Sequence, residues 1–114
     1  MKKDVIKIRR KKESKGNEIP IKVEGEDSVY VKPVYVRKGD IVVWEAIDSD
    51  VNLFFPVPHL FGETLGTIFK GQKKALKVLL STRKKEEIFH YALYHHGIGD
   101  FGHGNSNPAI IIRK

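Results

Sequence analysis

The chain has 114 residues, 40% of them hydrophobic and 31% charged, enough apolar material for one compact core and too much for global disorder. It contains no cysteine, which excludes disulfides, thiolate nucleophiles and Cys-ligated zinc or copper; no run of about 18 apolar residues suggests a membrane-spanning helix. The net charge of +7 is lopsided: residues 1–15 carry eight Lys/Arg against two acids, and the remainder 13 against 12.

That distribution divides the chain into a basic N-terminal strand and mobile loop, residues 1–17, and a domain over 18–114. No apolar stretch of the signal-peptide kind follows the basic start. As written, the chain reads as cytoplasmic or as the mature part of an exported protein. The charge of the arm suits anionic lipid or nucleic acid. A solvated tail is the simpler account, and no aromatic residue interleaves with the arm to offer bases a stacking platform. A second basic cluster, Lys70, Lys73, Lys74, Lys77, Arg83, Lys84 and Lys85, reads as solvent-facing strand positions that discourage edge association.

In chain order, DVIKI at 4–8 predicts a short strand, and Arg9 to Asn17 a polar loop. EIPIKV at 18–23 alternates as a strand, which Pro20 confines to an edge or an end. GEDS at 25–28 is a turn. In SVYVKPVYVRKGDIVVWEAID, Val34 and Val36 share one face and Lys38-Gly39-Asp40 turns the chain. The next strand carries Ile41 and Val43 on one side and Trp44 on the other. Trp44 is expected in the core with its N–H satisfied. DSD at 48–50 turns into a strand at 51–55.

Pro56 and Pro58 break the pattern, leaving room for one helical turn near His59 to Glu63. TLGTIFK at 64–70 alternates with Leu65, Thr67 and Phe69 on one face, and Gly71-Gln72 turns. ALKVLL at 75–80 predicts a strand, and EIFHYALYH at 87–95 is the strongest strand pattern in the chain. PAIIIRK closes it with a last apolar strand. Seven to nine short strands with almost no helical signal predict an all-β sandwich or barrel.

Three separated features carry a family resemblance over residues 18–114. VYVKPVYVRKGDIVVWEAIDSDVNLFF resembles the strand, Lys-Gly-Asp turn and Trp/Phe strand that lead to the first metal ligand of the cupredoxins. KGQKKALKVLLSTRKKEEIFHYALY resembles the paired strands that end in aromatics before their ligand loop. The Gly-rich loop followed by PAIIIRK is similar to their closing strand. The resemblance implies a cupredoxin-like Greek-key β-sandwich of the plastocyanin/azurin type.

The metal ligands of that family are not reproduced. Aligning Trp44 puts Asn52 where the first His is expected. Aligning the aromatic strand end puts His95 at the Cys position, Ile98 at the second His and His103 at the axial position. A second register makes Leu93 the Cys equivalent and His96 the second His; strand parity does not choose, since Leu93 and His95 share a face. Neither register supplies a thiolate or the first His, so a type 1 blue-copper centre is excluded.

Four of the five histidines nevertheless lie at His90, His95, His96 and His103. Gly97, Gly99, Gly102 and Gly104 free the intervening backbone to bend sharply. His95, His96 and His103, joined by His59 from a neighbouring loop, are the candidate ligands for a divalent ion such as copper or zinc, with Asp100 as a further carboxylate. Adjacent His95 and His96 point to opposite faces. His90 reads as an outward polar residue.

The function expected from these residues is a non-enzymatic binding or interaction domain. The alternative is a His-ligated metal module for Cu(II), Zn or Ni. No nucleophile pattern supports catalysis. Phe54, Phe55, Leu60 and Phe61 lie close together in the sequence and would leave some apolar surface for a protein partner at the loop end.

Overall fold

The computed structural model describes residues 16–25, 31–101 and 108–114. The strand expected at 4–8, most of the basic arm, the turn at 26–28 and His103 lie outside them. The described residues form ten strand segments and one helical turn: β1 (Glu18–Val23), β2 (Val34–Val36), β3 (Ile41–Ala46), β4 (Val51–Phe54), α1 (Pro58–Phe61), β5 (Leu65–Ile68), β6 (Lys73–Lys77), β7 (Glu86–His90), β8 (Ala92–His95), β9 (Asp100–Phe101) and β10 (Ala109–Arg113). Among these residues no helix is long and apolar enough to cross a membrane.

One layer is the sheet β1-β3-β6, with β1 parallel and β6 antiparallel to the central β3. Among the described strands β1 lies at an edge of its sheet, where the missing N–H of Pro20 is tolerated. The other layer holds β2-β10-β7 and β5-β4-β8-β9. It is mixed as well: β10 lies parallel to β2 and antiparallel to β7. β7 and β8 are successive halves of the expected strand 87–95. The path changes partners at Tyr91, pairing with β10 before it and with β4 after it. That change, together with the two-residue β9, takes the segments past the expected nine.

The layers meet over a single core drawn from both. Val23, Val42, Trp44, Ala46 and Leu76 come from one sheet, and Val36, Val51, Leu53, Leu93, Ile110 and Ile112 from the other. Strand alternation explains the selection: Val42, Trp44 and Ala46 point inward while Ile41, Val43 and Glu45 stay partly exposed. The architecture is the expected all-β sandwich.

At the centre of the core four aromatic rings pack edge to face or tilted. Trp44 lies 5.5 Å from Phe55, 5.5 Å from Phe61 and 5.8 Å from Tyr91, centroid to centroid. The Trp44 indole N–H donates to the Tyr91 hydroxyl at 3.1 Å, so the buried polar ends satisfy each other. Burial pushes the Tyr91 hydroxyl up to about 12, and the Trp44 hydrogen bond opposes only part of that shift. A Tyr raised in the folded state stabilises fully below its unfolded value near 10, and the contribution is lost as pH rises through the folded value. Urea midpoints of the wild type are therefore expected to fall between about pH 10 and pH 12, and Tyr91→Phe to flatten that decline.

The turn Lys38-Gly39-Asp40 sets the start of β3. Gly39 has φ +96°, a conformation that strains any residue with a Cβ. The Asp40 carboxylate turns inward and accepts the backbone N–H groups of Arg37 at 2.9 Å and Asn17 at 3.0 Å. Pro58 opens α1, and Gly62 closes it at φ +86° with its N–H on the Pro58 carbonyl.

The β6 segment begins two residues before the expected 75 and ends at Lys77. Its limits follow its partner: Glu45 pairs with Lys73 and Ile41 with Lys77, so β3 sets the length.

Candidate functional site

The loop after β8 is organised by His95. This residue is the last of β8, pairs with Val51 across the sheet, and is 2% exposed. Its Nε2 lies 2.8 Å from Asp48 Oδ1, and its Nδ1 accepts the Ile98 backbone N–H at 3.0 Å. An acceptor at Nδ1 places the ring proton on Nε2, facing the carboxylate. The second Asp48 oxygen accepts the Gly25 backbone N–H at 2.9 Å. Those hydrogen bonds, that of Gly25 first and that of His95 second, hold the Asp48 carboxyl below the usual carboxylate range.

Close approach of backbone is built into this arrangement. A Cβ at Gly25 would stand 2.7 Å from Ile98 Cγ1 and 3.0 Å from His95 Nε2, so a larger residue there requires the Ile98 side chain to shift and presses on the ring. Gly97 donates its N–H to Ser49 Oγ at 2.7 Å, and His96 its N–H to the Asp50 carbonyl at 3.1 Å. The 96–99 turn is thereby tied to the 48–50 turn, beside the His95–Asp48 pair.

His96 faces the other way, as alternation requires. It is exposed, its Nε2 meets Asn52 Oδ1, and its ring stands edge-on to Tyr94 at 5.3 Å. Asn52 Nδ2 donates in turn to Thr67 Oγ1 at 2.8 Å. His59 does not join this loop. It lies in α1, which follows Phe54, and Phe54 pairs with Ala92 at the far end of β4 from the Val51–His95 pair. His90 is exposed on β7.

The three described candidates, His59, His95 and His96, do not come together in one cluster. His95 has both ring nitrogens engaged by the protein, His96 is on the opposite face, His59 is at the other end of the strand pair, and His103 is outside the described residues. Among those residues no group of three His, Asp or Glu side chains is placed to hold a metal ion. The positions that the resemblance aligns with type 1 copper ligands are occupied by other chemistry. No thiolate exists in the chain, Asn52 bonds Thr67 and His96, and His95 is closed by Asp48 and Ile98.

Beside His96 the outer face of β5-β4-β8 is uncharged and apolar toward Phe54. A cleft of about 240 Å³ is lined by Leu53, Phe54, Leu65 and Ala92, with Asn52, Thr67 and Tyr94 at the loop side. No lining residue is charged. Phe54 is 46% exposed and Leu65 69%, which places two large apolar side chains in solvent where strand alternation turns them outward. Phe55, Leu60 and Phe61, by contrast, are core residues.

Sequence reasoning read Asp48 only as a turn former, Tyr91 only as part of a strand and Gly25 only as part of a turn. No local pattern marks Asp48, because its partner is 47 residues away. No family model matches this chain, and no curated protein matches it significantly.

Proposed function

We propose that this chain is a non-enzymatic interaction domain on a cupredoxin-like Greek-key sandwich, without a type 1 copper site. The observation that carries this reading is the closure of His95: the side chain nearest to a ligand position has one nitrogen on Asp48 and the other on the Ile98 N–H. A metal at Nδ1 would have to displace the Ile98 N–H, leaving that donor unpaired, and one at Nε2 would have to replace the proton shared with Asp48. The uncharged cleft of Phe54, Leu65 and Ala92 beside the same loop supports a protein partner that inserts a neutral, apolar side chain.

The test is calorimetric. Chelator-stripped protein is titrated with Cu(II), Zn(II) and Ni(II), beside a variant with His59, His96 and His103 changed to Ala and His95 left in place to keep the fold. Both proteins are expected to bind each ion equally weakly. Binding at least tenfold tighter in the wild type would overturn the proposal and establish the His-ligated metal module instead.

A further inference from the structure

The strand order brings together cations that are far apart in sequence. β2 runs parallel to β10 and β7 antiparallel to it, so the end of β2, the end of β10 and the start of β7 lie at one end of the sheet. Arg37 follows β2, Lys85 precedes β7, Arg113 ends β10 and Lys114 follows it. These four line an open groove of about 560 Å³ in which Glu86 is the one acidic side chain. Glu86 is taken up by Arg113, at 3.5 Å, and Arg37 Nε donates to the Lys114 main-chain oxygen at 3.3 Å. Lys38, Arg83 and Lys84 are exposed neighbours in sequence.

An aromatic ring adjoins the groove through Arg113. The Arg113 guanidinium lies 4.0 Å from the centroid of the Tyr35 ring, and Tyr35 is 50% exposed. One cation thus belongs both to the groove and to an aromatic platform, the combination by which single-stranded nucleic acid is held: phosphates along the cations, a base on the ring.

The outer face of β1-β3-β6 is different. There Lys22 and Lys73 flank Glu45 in one row, and Glu18 shares a row with Lys77, so charges of both signs alternate and no groove of one sign forms.

We propose that this end of the sheet binds a single strand of nucleic acid, with phosphates at Arg37, Lys85, Arg113 and Lys114 and a base against Tyr35. The site is separate from the His95 loop and does not rest on the interaction reading given above. An acidic polypeptide would satisfy the cations but would leave the Tyr35 ring without a role.

The experiment measures binding of a short fluorescent oligo(dT) by the full chain across a salt series, with polyglutamate as a second probe. Two variants remove the same charge: R37Q/K85Q/K114Q at the groove and K22Q/K73Q/K77Q on the opposite sheet. The groove variant is expected to flatten the dependence of log K on log salt by about 2, at roughly 0.7 for each phosphate no longer neutralised. The opposite-sheet variant is expected to keep the wild-type slope. Tyr35→Ala is expected to weaken oligo(dT) about tenfold while leaving the slope and polyglutamate binding unchanged. Equal loss in both triple variants, or no loss in either because residues 1–15 carry the binding, would overturn the proposal. So would a Tyr35→Ala variant that binds oligo(dT) as well as wild type, or polyglutamate binding as tight as that of oligo(dT).

Discussion

Trp44→Ala is expected to destabilise the fold by about 3–5 kcal/mol, the usual range for emptying a large aromatic site in a packed core. The residue is fully buried, packs on Phe55, Phe61 and Tyr91, and sits in the central strand of its sheet. Side chains of both layers would face the same void, and the β-scaffold limits how far they collapse into it. Removal also strands the Tyr91 hydroxyl, whose partner is the indole N–H. Tyr91→Phe isolates that second effect: it leaves the Trp44 N–H buried without an acceptor, for about 1–3 kcal/mol. Because the two residues touch, their costs should not add in the double variant. The measurement is urea unfolding followed by far-ultraviolet circular dichroism, since the chain has one tryptophan and Trp44→Ala removes the fluorescent probe. A Trp44→Ala cost below about 1 kcal/mol would contradict the packing described for the two layers.

The second large effect is expected at the joint between the 48–50 and 96–99 turns. His95→Ala should cost about 2–4 kcal/mol, combining lost burial with an Ile98 N–H left without its acceptor. Asp48→Asn probes the charge in the same joint. The Asp48 carboxyl is depressed in the folded protein, by the Gly25 N–H first and His95 second. A depressed carboxyl contributes stability above its unfolded value, and that contribution is lost as pH falls through the folded value. Wild-type stability should therefore decline below about pH 4, and the gap between urea midpoints at neutral and acid pH should narrow in Asp48→Asn. Long-range proton–nitrogen spectra check the tautomer directly: His95 is expected to carry its proton on Nε2. A proton on Nδ1 would remove the Ile98 hydrogen bond and with it the account of why this loop is closed.

How far the chain can be read without its fold depends on where each partner lies. Alternation at 41–46 placed Trp44 opposite Ile41 and Val43, and Pro20 implied an edge, because the two-residue period and the missing N–H are properties of a strand by itself. The Lys38-Gly39-Asp40 turn is legible for the same reason: Gly39 supplies the left-handed backbone and Asp40 caps an N–H three residues back. The break at Tyr91 is not legible, because alternation continues through it. Glu87, Phe89, Tyr91, Leu93 and His95 are all more buried than the residues between them, and only the pairing changes.

The same distinction separates the histidines. Alternation alone put His95 and His96 on opposite faces, but it said nothing of Asp48. Likewise, Arg37, Lys85 and Arg113 belong to different charge contexts in the sequence and meet only because β10 lies between β2 and β7.

Residue types and their spacing were thus sufficient for the β-sandwich class, the main turns, the inward placement of Trp44 and the absence of a thiolate ligand. Those properties follow from backbone sterics, a period of two and the chemistry of a side chain that is present or missing. The closing of His95 by Asp48, the exposed cleft at Phe54 and Leu65, and the grouping of cations at one sheet end were decided by tertiary pairing. Each depends on which strand lies beside which, and that is set by the burial of the whole core together.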